Sequence, residues 1–370
     1  MAPKLMVGTQ KGLFTFEHAR GGWAITRHDF TGVPVTAFLH DRRDGYYYVA
    51  LDHGHFGPKL HRSEDSGTVW DEMPAPAFPA GYGGDIEKAP AVSMIWSLAA
   101  GGRRHPGQIW AGTMPGALFR ADDRARDWVL VESLWQQEAR SRWFGGGYDE
   151  PGIHSILVDP RDDNRLVVGV SCGGVWLSRD GGASWTLGGD GLVARYMPPE
   201  ARHELAVQDP HRIVACPAAP ERLWMQHHNG VFRSMDGGAS WTQVVGIPVS
   251  DFGFAVAVHP TRPNTAWFVP AASDENRIPL DARPVVTRTQ DGGVTFETLS
   301  NGLPRPPAYD LVYRHALDVA PDGVTLAMGS TTGSLWTSAS GGEAWHLVNG
   351  HLPPIACVTF ADPPTPRRRV

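Results

Sequence analysis

Ser178-Arg179-Asp180-Gly181-Gly182-Ala183-Ser184-Trp185 returns almost unchanged as Ser234-Met235-Asp236-Gly237-Gly238-Ala239-Ser240-Trp241. Two further copies stand at Ser63-Glu64-Asp65-Ser66-Gly67-Thr68-Val69-Trp70 and at Thr289-Gln290-Asp291-Gly292-Gly293-Val294-Thr295-Phe296. The shared pattern, Ser/Thr-x-Asp-x-Gly-x-x-aromatic, reads as a tight hairpin turn. Its hydroxyl and carboxylate are placed to bond turn amides, and Gly supplies backbone angles that strain other residues. The aromatic ring that follows packs down between neighbouring sheets.

Weaker copies fill the gaps, from Ala121-Asp122-Asp123 to Trp128 and from Ser338 to Trp345, with Trp23 closing a still weaker one. The markers Trp23, Trp70, Trp128, Trp185, Trp241, Phe296 and Trp345 are then 47, 58, 57, 56, 55 and 49 residues apart. Each of the seven units has room for four short strands. In the clearest, these are His154 to Val158, Leu166 to Val170, Val175 to Ser178 and Ser184 to Leu187. Four-stranded units repeated round a circle predict an all-β fold, a seven-bladed β-propeller. The first unit begins at its second strand, Leu5 to Gly8, and Ile355 to Phe360 is an orphan strand after the last. The orphan is expected to close the ring as the inner strand of the first blade, which removes free sheet edges. Residues 1–363 then form one domain, and 364–370 a frayed Pro/Arg tail.

This turn resembles the Asp-box, or BNR repeat, of sialidases, xyloglucanases, sortilin-type receptors and a photosystem assembly factor. The whole chain resembles the single-propeller BNR/Asp-box group often labelled exo-α-sialidase or glycosyl hydrolase. Trp143-Phe144-Gly145-Gly146, Pro151 to Ser155 and Asp251-Phe252-Gly253-Phe254 look like phrases of that group. The resemblance implies a propeller whose boxes are structural and lie away from any active site. It assigns no catalytic role to these residues. The sialidase phrase Arg-Ile-Pro is missing near the N-terminus; Arg277-Ile278-Pro279 falls instead in the sixth unit.

Composition narrows the function. The chain has 370 residues, 43 Gly, 31 Pro and 14 Trp, which suits many short strands and turns. A net charge of -6 provides no field for nucleic acid or an anionic membrane. Three scattered cysteines argue for a reducing compartment. No apolar leader follows Met1, so the expectation is a cytoplasmic protein. Gly145-Gly146-Gly147 does not join a strand to a helix, which excludes a nucleotide-cofactor loop.

The long connections 71–92, 129–153, 186–210 and 297–313, with the insertion near Ala271 to Pro284, share one face. Aligning the inner strands on their terminal turns places Val35, Met94, His154, His211, Phe254, His315 and Cys357 at the channel mouth; a one-residue slip substitutes Ser155, Arg212, Ala255 and Ala316. His154, His211 and His315 are the candidate catalytic trio, with Asp149 and Asp251 as partner acids; Asp209 is a further acid. Neutral imidazoles from separate strands also suit a divalent metal, so the same trio is the candidate ligand set. Arg212, Arg314, Tyr148, Trp143, Phe254, His227 and His228 are candidate substrate contacts. His53 and His55 either join this face or cap a turn, and Cys172 lacks an activating neighbour. The leading expectation is a hydrolase or lyase acting on a small polar or anionic molecule. The alternatives are a non-catalytic interaction propeller and a glycoside hydrolase with a carboxylate pair.

Overall fold

A computed structural model describes residues 4–82 and 90–361. The expected tail at 364–370 lies outside the described residues. The strands form seven four-stranded antiparallel sheets, as the repeat count requires. Their inner strands are Ile355–Ala361 for blade one, then Val35–Asp41, Met94–Ala100, Ile153–Val158, Pro210–Cys216, Gly253–Val258 and Leu317–Val319 for blades two to seven. Each touches the next, and the seventh touches the first, so the ring is closed. Closure is made by the orphan strand. Lys4–Thr9 pairs antiparallel with Ile355–Ala361, with Leu5 opposite Phe360 and Val7 opposite Val358. Among the described residues, no helix is long and apolar enough to cross a membrane.

The repeated turns fasten blade to blade. In blade four, the Ser178 hydroxyl donates to Asp180 at 2.9 Å and accepts the Gly182 amide at 2.8 Å. Asp180 accepts the Ser184 amide at 2.9 Å. Blades two, five and six repeat this with Ser63 and Asp65, Ser234 and Asp236, and Thr289 and Asp291. Blade seven substitutes Ser340 for the Asp, and its hydroxyl accepts the Ala344 amide at 3.0 Å. The turn glycines are required twice over. Gly182, Gly293 and Gly342 have φ of +90°, +87° and +96°. A Cβ on each would also touch the indole of the preceding blade, Trp110, Trp224 or Trp267, at 3.3–3.5 Å, and on Gly293 and Gly342 it would collide with Val244 at 2.7 Å and Leu299 at 2.9 Å. Those three indoles are at most 2% exposed, so each turn closes the seam beside it.

At the mouth end the inner strands carry β-bulges. Register shifts fall between Val35 and Ala37, Ile95 and Ser97, Ile153 and Ser155, Pro210 and Arg212, and Gly253 and Val256. The residues left out of the ladder are therefore Thr36, Trp96, His154, His211 and the pair Phe254-Ala255. A bulge re-aims its side chain and bends the strand, which is how the mouth acquires its lining.

Candidate functional site

Two adjoining cavities open where these bulges meet the long loops. The first, of about 200 Å³, is lined by Phe144, Gly146, Gly147, Cys172, Tyr196, Asp209, His211, His228, Phe254, Asp274, Arg277 and Arg314. The second, of about 440 Å³, lies over the central channel and includes Thr36, Met94, Trp96, Tyr148, Tyr313 and His315. Gly147, Arg277 and Arg314 line both.

The first cavity is built round Asp209, which the following Pro210 and the bulge at His211 turn inward. One Asp209 oxygen accepts the Cys172 amide at 3.0 Å and the Ser171 hydroxyl at 3.3 Å. The other faces His211 Nε2 and His228 Nδ1, each at 3.4 Å. His211 Nδ1 lies 2.6 Å from the Gly253 carbonyl. That carbonyl can only accept, so Nδ1 carries the proton and Nε2 presents a lone pair. His228 Nε2 faces Asp274 at 3.5 Å. Phe254 stacks on the His211 ring at 4.7 Å, and Tyr196 meets His228 edge-on at 4.8 Å. His227 is buried beneath, where its Nε2 accepts the Asp209 amide at 3.1 Å. It positions the acid and does not reach the cavity.

The charges follow from burial. Desolvation pushes the Asp209 carboxyl up, but the facing His211 and His228 and the Arg314 guanidinium outweigh it and hold it well below the usual carboxylate range. Desolvation holds His211 below its ordinary value, with Asp209 acting in the opposite sense. The Cys172 thiol is raised by burial and by Asp209, so it stays protonated and is no nucleophile. Arg314 lies between two rings, 5.0 Å over Trp96 and 5.3 Å over Phe254. Its buried Nε has no hydrogen-bond partner. Arg277 reaches in from the sixth-blade insertion, with Nε on the Asp274 carbonyl at 3.0 Å and its charge 5.9 Å over Phe254.

The sequence trio does not gather at one point. His154 is fully buried, with Nδ1 on the Ser155 hydroxyl at 2.9 Å and Nε2 on the Pro210 carbonyl at 2.7 Å. His315 sends Nε2 across the channel to the His154 carbonyl at 2.8 Å, and Arg212 reaches the same oxygen at 3.1 Å. These groups tie blades four, five and seven together. Among the described residues, the His/Asp group whose ligand atoms converge is Asp209, His211 and His228, all within 4.8 Å of one another. Arg212 lies deeper, in a channel cavity of about 220 Å³ with Asp318. Burial pushes the Arg212 guanidinium down to about 10 and the Asp318 carboxyl up to about 6.

Of the expected acids, Asp149 and Asp251 are both exposed, and neither lines the two cavities. Trp143 packs into the wall, 5.7 Å from Trp176, while Tyr148 stands over Trp96 at the rim. His53 precedes a short turn in which Asp52 bonds the Gly54 amide. Sequence reasoning missed Trp96, Tyr196, Asp274 and Arg277. Three of these sit on long loops without periodicity. Trp96 has no signal in the repeat: the bulge between Ile95 and Ser97 takes it out of the ladder and brings it to the cavity beside Met94.

No family model matches the chain. A probable oligoxyloglucan-reducing end-specific xyloglucanase of Neosartorya fischeri is 28% identical over 153 residues, 39% of this chain and 17% of that protein. The corresponding enzyme of Emericella nidulans is 29% identical over 127 residues, 33% of this chain and 13% of that protein. The matched stretches thus span less than two thirds of either relative. Among solved structures, the GH74 xyloglucanase of Xanthomonas campestris superposes with a TM-score of 0.62 at 17% identity, over 97% of this chain and 52% of that one. YCF48 bound to D1 peptide gives 0.57 at 14% identity, over 92% of this chain and 90% of that one. The structural likenesses establish the propeller, and the partial sequence matches establish a similarity to xyloglucanases.

Proposed function

We propose that the mouth binds a small anionic molecule and that the protein is a hydrolase or lyase acting on it. The observation that carries this reading is Arg314, a half-buried cation held between Trp96 and Phe254 whose buried Nε has no hydrogen-bond partner, set beside the Asp209–His211–His228 cluster. A guanidinium N–H withdrawn from water without an acceptor destabilises a fold unless a ligand completes it, so such groups mark sites. Arg314 and Arg277 would hold the anionic group. Trp96 and Tyr148 would flank the rest of the molecule.

In hydrolysis, the cluster takes a proton from water, and the hydroxide adds to the electrophilic atom. Negative charge developing there faces the two arginines. The proton then passes to the leaving group as its bond breaks. In elimination, the same cluster takes the proton from carbon and the leaving group departs from the neighbouring atom.

A glycoside hydrolase is the second reading, favoured by the partial matches to xyloglucanases and by Asp209 and Asp274 facing opposite nitrogens of His228. An imidazole held between two carboxylates separates them by a distance of the order that inverting enzymes use, about 6.5–9.5 Å.

The test is a panel of chromogenic phosphate, sulfate, carboxylate-bearing and neutral glycoside substrates. The first reading expects turnover of an anionic member, a fall of at least about 100-fold in kcat for Asp209→Asn, and a raised KM for Arg314→Met. Turnover confined to neutral glycosides, lost in Asp274→Asn, supports the second. Neither turnover nor ligand-induced stabilisation with any anionic member defeats the first and leaves the non-catalytic propeller.

A further inference from the structure

We infer that Asp209, His211 and His228 form a binding site for one divalent transition-metal ion. This rests on the reading of the mouth as an enzyme site and says how that site activates its water.

The first support is convergence. One ligand atom from each residue lies within 4.8 Å of the other two. Ligands about 2.0–2.2 Å from a common ion stand at most about 4.4 Å apart, so small side-chain adjustments close the set. The second is the direction of the lone pairs. With its Nδ1 proton committed to the Gly253 carbonyl at 2.6 Å, His211 aims Nε2 at a carboxylate oxygen 3.4 Å away. A lone pair facing a carboxylate is repulsive unless a cation or a proton lies between them.

The third support is the outer shell, which is already built. Asp209 has its other oxygen occupied by the Cys172 amide and the Ser171 hydroxyl, leaving one free. The far nitrogen of His228 faces Asp274, so its near nitrogen is the one presented to Asp209. Metal-ligating imidazoles characteristically give their second nitrogen to a carbonyl or a carboxylate, as both do here. The open side of the group faces the 200 Å³ cavity, which leaves coordination positions for water and substrate.

The donor set also selects the ion. Two nitrogens and one oxygen suit Zn²⁺, Mn²⁺, Fe²⁺ or Co²⁺; Ca²⁺ and Mg²⁺ prefer oxygen alone. Arg314 beyond the cluster leaves the ion's remaining charge to be balanced by an anionic substrate.

The experiment uses the full chain, stripped with a chelator and then titrated with Co²⁺, read by calorimetry and by visible absorption. One ion per chain is expected, with the ligand-field bands of nitrogen coordination. Affinity should fall at least tenfold in His228→Ala and in Asp209→Asn, and stay unchanged in His346→Ala, which removes an exposed outer-strand imidazole. Because His228 is partly open, His228→Ala should keep the parental melting temperature, so lost binding there is not lost folding. No saturable binding, or unchanged affinity in His228→Ala, overturns the inference. If Co²⁺ binds at the cluster while no anionic substrate binds or turns over, the metal site stands and the functional reading falls. If an anionic substrate turns over at a rate indifferent to chelator and added metal, the functional reading stands and the metal site falls.

Discussion

Replacing His154 by alanine should cost stability without touching the site. The ring is fully buried and makes two hydrogen bonds, to the Ser155 hydroxyl and the Pro210 carbonyl. Losing two such bonds costs about 2 kcal/mol, and stranding the Pro210 carbonyl away from water adds roughly 1–3 kcal/mol. The emptied ring volume, at about 24 cal/mol per Å³, adds about 1–2 kcal/mol. The sum is about 4–7 kcal/mol at full effect, and partial relaxation brings the expected loss to roughly 3–5 kcal/mol. For 370 residues, the unfolding entropy of about 2.1 cal/mol/K per residue turns this into a drop of about 4–6 °C in Tm. Urea unfolding followed by tryptophan fluorescence reads the free energy, and calorimetry with Co²⁺ reads the site. His228→Ala should behave oppositely, with a loss below about 1 kcal/mol and a large loss of binding. If His154→Ala kept its unfolding midpoint yet lost Co²⁺ or anion binding, the structural role argued for it would be wrong.

Acid should loosen the ring in two stages. Burial holds both His154 and His315 below their ordinary value, His315 down to about 3, while unfolded imidazoles titrate near 6.5. Both are therefore neutral when folded and take up protons on unfolding, so stability is full above pH ~6.5 and falls below it by about 1.4 kcal/mol per pH unit for each. The turn carboxylates come next: the Thr295 hydroxyl and turn amides hold Asp291 down to about 2, and stability owed to it is lost as pH falls below about 4. A flat urea midpoint between pH 7 and 5 would contradict the first stage. Gly293→Ala should cost more than Gly32→Ala, measured by Tm, because both have φ of +87° but only the first Cβ meets neighbours, Val244 at 2.7 Å and Trp224 at 3.4 Å. Backbone strain alone is worth about 1–2 kcal/mol, and equal losses would remove the packing argument. Ser234→Ala should cost about 2–3 kcal/mol, since the Gly238 amide loses its 2.8 Å partner in a buried turn; an unchanged unfolding free energy would deny the turns their fastening role.

The blades were legible because their turns are local. Ser178, Asp180 and Gly182 satisfy each other within five residues, so the need appears in sequence as a motif, and seven markers count the ring. Closure was legible for the same reason, as a strand without a partner at each end. The site was only partly legible because it depends on groups far apart in the chain. His154, His211 and His315 were read as equivalent from their place in the repeat. What separates them is across the channel or on the next blade: a carbonyl answers each of the three, but His211 also faces the carboxylate of Asp209. The bulges displaced the mouth register in blades two and three, where Thr36 and Trp96 leave the ladder beside Val35 and Met94. Arg277 belongs to a sialidase-like phrase on a blade that is wrong for that chemistry. Its loop folds back over the mouth, and no periodicity announces that.

The pairing of Lys4–Thr9 with Ile355–Ala361 has a consequence for biosynthesis. The earlier of the two strands keeps one edge unsatisfied until residue 361 has emerged, roughly 20–70 s later at about 5–20 residues per second. The same late strand pairs Cys357 with His315, and its Val358 amide bonds the His315 carbonyl at 2.9 Å. The wall of the mouth is therefore unfinished in every nascent chain. A truncated product can carry Asp209, His211 and His228 and still lack the ring that holds them, so competence arrives at one moment, with the last strand.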